Sequence, residues 1–203
     1  METINPIIYR YLDETQLGFR KERGIRDGIF LLRNISERMA SHEKYLYMCF
    51  KGYTKAFDRV NYTKLMEVLI KAGVLDNERR LIAELYWNQT AKVKTNSGTT
   101  EDINILRGVI EGCIISPALF NLYNEFLLQE ALGEKGGISL NGENITNVRY
   151  AGDTVIMAET PESLQQMLDS VAESCETYGM EMRAKKIKKK PCISEKKKRK
   201  YLY

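Results

Sequence analysis

The 203-residue sequence contains one histidine, His42, and four cysteines, Cys49, Cys113, Cys175 and Cys192, none at paired spacing. A single histidine argues against a histidine-built metal centre or a Ser-His-Asp triad. Scattered cysteines exclude a disulfide frame and a four-cysteine zinc site, and read as thiols of a reducing compartment. No apolar run approaches the ~20 residues of a membrane span, and no secretory leader precedes the first periodic segment. No internal repeat is apparent. The expected setting is intracellular, nuclear or cytoplasmic, with no membrane partner. Basic charge is scarce where most of the chain lies: residues 1–182 carry a net −6 and residues 183–203 a net +10. Most of the positive surface that would meet phosphates is therefore expected in that last stretch.

What is present is the material of one sizeable core: 43% hydrophobic and 29% charged residues, the balance of a soluble globular domain. Ile29, Leu32, Ile35 and Met39 recur at helical spacing, which predicts a helix over 26–42 with one buried stripe. Tyr45 to Phe50 is continuously apolar, as in a strand buried on both faces. Helices are expected at about 63–72 and 77–89, broken at Gly73. Residues 92–95 and 103–106, around Asn96-Ser97-Gly98, predict a hairpin. Pro117 opens a helix to about Leu132, where proline is tolerated in the first turn. Asn141-Gly142 predicts a two-residue hairpin between Ile138-Leu140 and Ile145. Thr160 is a candidate N-cap for a helix ending at Gly179. Met1 to Asp13 has no assigned element.

The stretch Thr146 to Met157 reads as two strands meeting at Gly152-Asp153, a pair suited to a turn that needs positive φ. Its centre, Tyr150-Ala151-Gly152-Asp153, resembles the Tyr-Ala-Asp-Asp box of reverse transcriptases with one Asp replaced by Gly. Three further blocks resemble the same family in the same order. Gln16 to Gly24 is similar to a fingers block of the LINE-type, non-LTR retrotransposon branch. Phe50 to Asp58 is similar to the first palm motif, and Arg107 to Pro117 to the second. A four-residue box is weak on its own; four ordered blocks are not.

The resemblance implies an α+β fold: a palm of antiparallel sheet flanked by helices on one side, with partial fingers and no thumb. It divides the chain into partial fingers and a first helix (1–44), a palm with inserted fingers–palm helices (45–182), and a basic, disordered tail (183–203). It implies an RNA-directed DNA polymerase using two Mg²⁺ ions, with RNA template, DNA primer and dNTP as partners. In such chemistry one ion activates the primer hydroxyl and both stabilise the phosphate under attack. The ions want oxygen ligands from a few carboxylates. The family's three aspartates match Gly52, Gly152 and Asp153, so Asp153 is the one surviving metal ligand.

The resemblance also assigns Arg20 and Arg23 to phosphate contacts, and Phe57 to a gate against a ribose 2′-hydroxyl. Gly112, Ser116 and Pro117 fall on a loop and helix start facing template and nucleotide. Lys186 matches a lysine that protonates leaving pyrophosphate. Plain structural readings stand beside each of these. Asp153 is a turn Asp, Phe57 a core aromatic, Gly112, Ser116 and Pro117 a helix cap, Arg20 and Arg23 a solvated loop, and Lys186 one lysine in a run. Asp58 cannot replace the aspartate at 52, since six extended residues span ~20 Å. Glu111 is a remote substitute. Ile25, Tyr62, Arg183 and Ile187 are further departures from the pattern. Those at 25, 52, 62, 152 and 187 each need one base change, as in a decaying copy. An impaired polymerase domain, a non-catalytic nucleic-acid-binding module and an inert relic all remain open.

Overall fold

The computed structural model describes residues 4–190 except 97, 134 and 141, with the backbone alone for 184–190. In chain order come α1 (Ile4–Tyr11), α2 (Ile25–Ser41), β1 (Leu46–Tyr53), a 3-10 turn (Phe57–Arg59), α3 (Tyr62–Lys71) and α4 (Asp76–Trp87). Two short ladders come next: β2 (Thr90–Ala91) with β5 (Ile103–Asn104), and β3 (Lys94–Thr95) with β4 (Gly98–Thr99). Then come α5 (Ser116–Leu132), β6 (Ile138–Leu140), β7 (Glu143–Ile145), β8 (Asn147–Tyr150), β9 (Asp153–Ala158), α6 (Pro161–Thr177) and β10 (Met182–Lys190). The expected hairpin over 92–106 is thus two nested ladders rather than one.

The central sheet is antiparallel, in the order β10-β1-β9-β8. β1 sits between two partners and is buried on both faces, as its unbroken apolar run requires. Tyr47 and Cys49 of β1 and Ile156 and Ala158 of β9 face a large core built with α5 and α6. Leu46 and Met48 of β1 and Val155 and Met157 of β9 face a second cluster, closed by Ile35 and Met39 of α2 and by Ile138 and Leu140. Helices therefore cover both faces of the sheet, not one. The sheet's second face is itself apolar, and α2 carries the stripe that covers it.

Residues 4–13 are not featureless: α1 fills most of them. Ile4, Ile8 and Leu12 are buried in the large core, so the first segment shares that core. The α2 stripe is only half used: Ile35 and Met39 are buried, whereas Ile29 is 61% exposed and lines a cavity with Leu32 of α2 and Phe50, Asp153 and Val155 of the sheet. Gly73 ends α3 with φ +74, a left-handed conformation that glycine takes at little cost. Thr160 caps α6 by accepting from the Ser163 backbone N–H at 3.1 Å.

The expectation of disorder from residue 183 is corrected in part. Residues 182–190 pair along β1, from Tyr53↔Met182 to Leu46↔Lys190. The outer edge of β1 is a row of buried backbone donors and acceptors that needs main-chain partners, and this segment supplies them. Residues 191–203 lie outside the described residues.

Candidate active site

The β8–β9 hairpin carries the four-residue box. Tyr150 pairs with Asp153, so Ala151-Gly152 is the two-residue connection. The positive φ falls on Ala151, at +54. This corrects the expectation of a Gly152-Asp153 turn: Asp153 is the first residue of β9. A positive φ at the first central position belongs to the hairpin-forming II′ class, where glycine is the usual occupant. Here an alanine is held there instead.

The holding is visible. Gln16 is fully buried; its Oε1 accepts from the Ala151 N–H at 3.1 Å and the Gly18 N–H at 3.0 Å. Its Nε2 donates to the Ala151 carbonyl at 3.4 Å. A Cβ on Gly18 would lie 2.1 Å from the Ala151 nitrogen, so only glycine permits this approach. Asn121 fixes the Gly18 carbonyl at 2.8 Å. The segment 15–17 also adds backbone bonds to Arg149, extending the sheet beyond β8.

Gly52, Gly152 and Asp153 come together at this end of the sheet. Lys51 pairs with Thr154, so Gly52 is one register step on, beside Asp153. Both share a face with Phe50 and Val155. A Cβ on Gly152 would make ordinary contacts of 3.6 Å with Phe120 and Tyr53 and 3.7 Å with Ala56. Asp153 is the only one of the three with a donor oxygen. Among the described residues no group of three or more His, Cys, Asp or Glu side chains is placed to hold a metal. A magnesium pair needs several converging carboxylates, and these residues do not fit it. The chain between Gly52 and Asp58 is not extended throughout, since β1 ends at Tyr53 and Phe57–Arg59 forms a 3-10 turn; Asp58 lines a cleft with Lys55 and Arg107, and Glu111, the remote substitute, lines one with Phe57.

That second cleft, about 370 Å³, gathers Phe57, Gly112 and Pro117 with Phe19, Cys113 and Ile114. Phe57 is stacked on Phe120 at 5.0 Å and meets Phe19 edge-on at 6.2 Å. Gly112 has φ +82. Pro117 stands in the first turn of α5. Ser116 is not among the facing residues: it is fully buried and its hydroxyl pairs with Tyr86 at 3.0 Å. Nor does it cap α5, whose N-cap is Ile115. Arg20 is turned inward, donating to the carbonyls of Asp13 at 2.8 Å and Gln16 at 3.2 Å. Arg20 and Arg23 both pair with Glu14, and Arg23 keeps 39% exposure. The two arginines tie the loop together, so a phosphate would compete with Glu14 for them. The Lys186 backbone pairs with Phe50; its side chain lies outside the described set.

Burial opposes ionisation of the Cys113 thiol. The backbone N–H groups of Ile115 and Ser116 and the hydroxyls of Ser116 and Tyr86 outweigh that and hold its pKa below the ordinary thiol value.

The family model described as "Reverse transcriptase (RNA-dependent DNA polymerase)" matches residues 1–202. The chain belongs to the reverse transcriptase family. It is similar to a Retrovirus-related Pol polyprotein from type-1 retrotransposable element R2 of Nasonia vitripennis, at 29% identity over 175 residues, 86% of this chain and 17% of that protein. A corresponding type-2 element polyprotein of Drosophila melanogaster is 27% identical over 175 residues, 86% of this chain and 16% of that one. This chain thus spans about a sixth of those relatives' length. The expected retrotransposon branch holds.

Among solved structures, a telomerase of Candida albicans in complex with a fragment of telomeric RNA superposes with TM-score 0.68 at 11% identity, over 97% of this chain and 35% of that one. An apo telomerase of Candida tropicalis does so with TM-score 0.66 at 15% identity, over 93% and 39%. These likenesses are ones of fold.

Two buried polar groups of this reverse-transcriptase fold were not nominated from the sequence. Arg149 and Glu125 form a forked pair at 2.9 and 3.1 Å, with side chains 1% and 2% exposed. The signal was available as a charge inside each of two otherwise buried runs. Lys51, 1% exposed, donates to the Tyr53 hydroxyl at 2.9 Å, which donates to Asn124 Oδ1 at 2.7 Å. Burial pushes the Lys51 amine down to about 8, and the Arg149 charge acts the same way.

Proposed function

We propose that this chain is a reverse-transcriptase domain that keeps the polymerase fold and has lost polymerase chemistry. By descent it is an RNA-directed DNA polymerase domain whose substrates would be an RNA template, a DNA primer and dNTPs, and whose activity would need divalent metal. The observation that supports the loss is the make-up of the β1–β9 end: Gly52, Gly152 and Asp153 adjoin, and only Asp153 offers oxygen. The formal carboxylate charge there is one third of what the family pattern supplies. No catalytic step is assigned to the chain as it stands.

A second reading is a nucleic-acid-binding module without catalysis. It is favoured by the concentration of +10 in residues 183–203 against −6 elsewhere. The two readings agree on fold and on descent; the second adds a retained affinity for nucleic acid.

The test is Mg²⁺-dependent primer extension by a full-length retrotransposon polyprotein carrying this chain in place of its matching segment. The unmodified graft should show no template-directed extension, and the graft with Gly52→Asp and Gly152→Asp together should regain it. Extension by the unmodified graft at the level of the restored one would overturn the proposal.

A further inference from the structure

A polar cleft of about 330 Å³ lies between the second half of α5, the segment 144–147 and Asp13. The Arg149–Glu125 pair is part of its lining. Arg149 reaches down to Glu125 of α5, so the cleft is on the α5 side of the sheet. Asp153 shares the other face with Val155, on the α2 side. The cleft is therefore separate from the box and from the positions of the family's aspartates.

Its side chains leave oxygens to spare. Gln129 donates through Nε2 to the Glu125 carboxylate at 3.2 Å. A carboxylate only accepts, so the Gln129 amide is fixed in orientation and its Oε1 is left over. Asn147 donates through Nδ2 to the Thr146 hydroxyl at 2.8 Å. It is 8% exposed, and its Oδ1 has no hydrogen-bond partner among the described residues. A buried amide oxygen left unpaired is costly and calls for a partner. Asp13 takes both Thr15 donors on Oδ1, at 2.8 and 2.7 Å, which leaves Oδ2. Asp13 and Gln129 are both tied to Glu125, the former through its N–H at 3.1 Å, so their spare oxygens belong to one neighbourhood. Arg149 Nε also lacks a partner, but the Arg149 charge is met by Glu125.

The charge has the same sign as the spare oxygens. Asp13 and Glu125 set two carboxylates against the one Arg149 guanidinium in the lining. Burial works against the Asp13 charge, but the Thr15 bonds and the nearby Arg149 and Arg20 hold its pKa below the ordinary carboxylate value. The cleft also receives the end of α5: Gln129, Leu132 and the C-cap Gly133 line it, and the last turn carries no basic residue. The carbonyl end of a helix favours a cation within that turn. Leu128 and Leu132, 1% and 2% exposed, complete the wall. A hydrated inorganic ion gains nothing from leucine, whereas an alkyl stem behind a charged head does.

We infer that this cleft binds a small alkylguanidinium or alkylammonium ion, its charged head at Asp13, Gln129 and Asn147 and its stem along Leu128 and Leu132. The volume is that of a small-molecule site, with an apolar wall and a few placed polar groups. The inference is independent of whether the carboxylates at 52 and 152 are restored.

The experiment is titration of the full chain with agmatine, a guanidinium and an ammonium on one butyl stem, followed by backbone amide NMR at neutral pH and fixed ionic strength. The amides of Asp13, Gln129, Gly133 and Asn147 should shift together and saturate in the millimolar range. Butanediol, the uncharged counterpart, should leave them in place. Gln129→Glu, at an exposed position of α5, adds a carboxylate and should tighten agmatine binding several-fold, a gain that misfolding cannot produce. Asp13→Asn should weaken it by a similar factor. Unmoved amides at these four positions, or no tightening by Gln129→Glu, would overturn the proposal. Butanediol binding as well as agmatine would also overturn it, because charge would then play no part. So would a blocked Gly-Arg-Gly peptide that binds more tightly than agmatine, by making the cleft a contact for another protein's arginine.

Discussion

Gln16 and Ala151 are joined through both ends of one side-chain amide. The Gln16 oxygen accepts from the Ala151 N–H at 3.1 Å and its nitrogen donates to the Ala151 carbonyl at 3.4 Å. The turn that carries the family box is thus held in its left-handed alanine conformation by a residue 135 positions away. Gln16→Leu would take the side-chain partner from three main-chain groups, the N–H groups of Gly18 and Ala151 and the Ala151 carbonyl, at a cost of about 2 kcal/mol. Gly18→Ala would drive a methyl into the Ala151 backbone and should cost about 3 kcal/mol. Urea unfolding measures both. A Gly18→Ala protein as stable as the parent would mean the loop does not press on the turn.

Lys51 gives a pH dependence whose sign is fixed. Its folded pKa is about 8 against an ordinary 10.5. Between these values the folded amine is neutral while the unfolded one still holds its proton, so the unfolded state binds more protons and stability rises with pH. Below pH 8 the full cost is present, about 3 kcal/mol. Lys51→Met should stabilise the chain at pH 7 by up to that amount, and the gap between variant and parent should close as pH climbs from 8 to 10.5. Denaturant titrations at several pH values read this directly. A gap independent of pH would place the charged amine in water rather than in the core.

Cys113 should be the fastest-reacting of the described thiols. Burial raises the pKa of Cys49 and Cys175, with partial relief from the Lys51 charge. Cys113 is partly exposed and shifted the other way. In a Cys192→Ser background, iodoacetamide at pH 7 should label Cys113 at least tenfold faster than Cys49 or Cys175, because thiolate fraction and access both favour it. Labelling of all three at one rate would signal an open core.

Much of the fold was legible in the sequence because its signals are local. Gly73, Thr160, Pro117 and Gly142 each mark an element boundary by backbone chemistry that acts within a few residues. The apolar run ending at Phe50 announced a strand buried on both faces. What escaped depended on distant partners. The apolar positions of α1 matter only because α5 is there to cover them. The segment 182–190 looked like a charged tail because its reason for being a strand lies in β1. The left-handed residue of the box is Ala151 rather than Gly152, since Gln16 and Gly18 enforce it from outside the turn. Neighbourhoods were legible, not roles: Gly52, Gly152 and Asp153 adjoin, and Phe57, Gly112 and Pro117 line one cleft. The fates of Ser116 and Arg20 were not, because a hydroxyl or guanidinium serves a core as readily as a ligand.

The central claim is that the β1–β9 end lacks the carboxylates to hold metal, and calorimetric titration with Mg²⁺ tests it most directly. The parent chain should give no saturable heat in the low-millimolar range. Gly52→Asp with Gly152→Asp should bind, and each single change should recover less than half of the gain in binding free energy, because the ligands act as a unit. The Gly152 side has room, since an added Cβ meets its neighbours at 3.6 Å. Saturable Mg²⁺ binding by the parent as tight as that of the double variant would contradict the account.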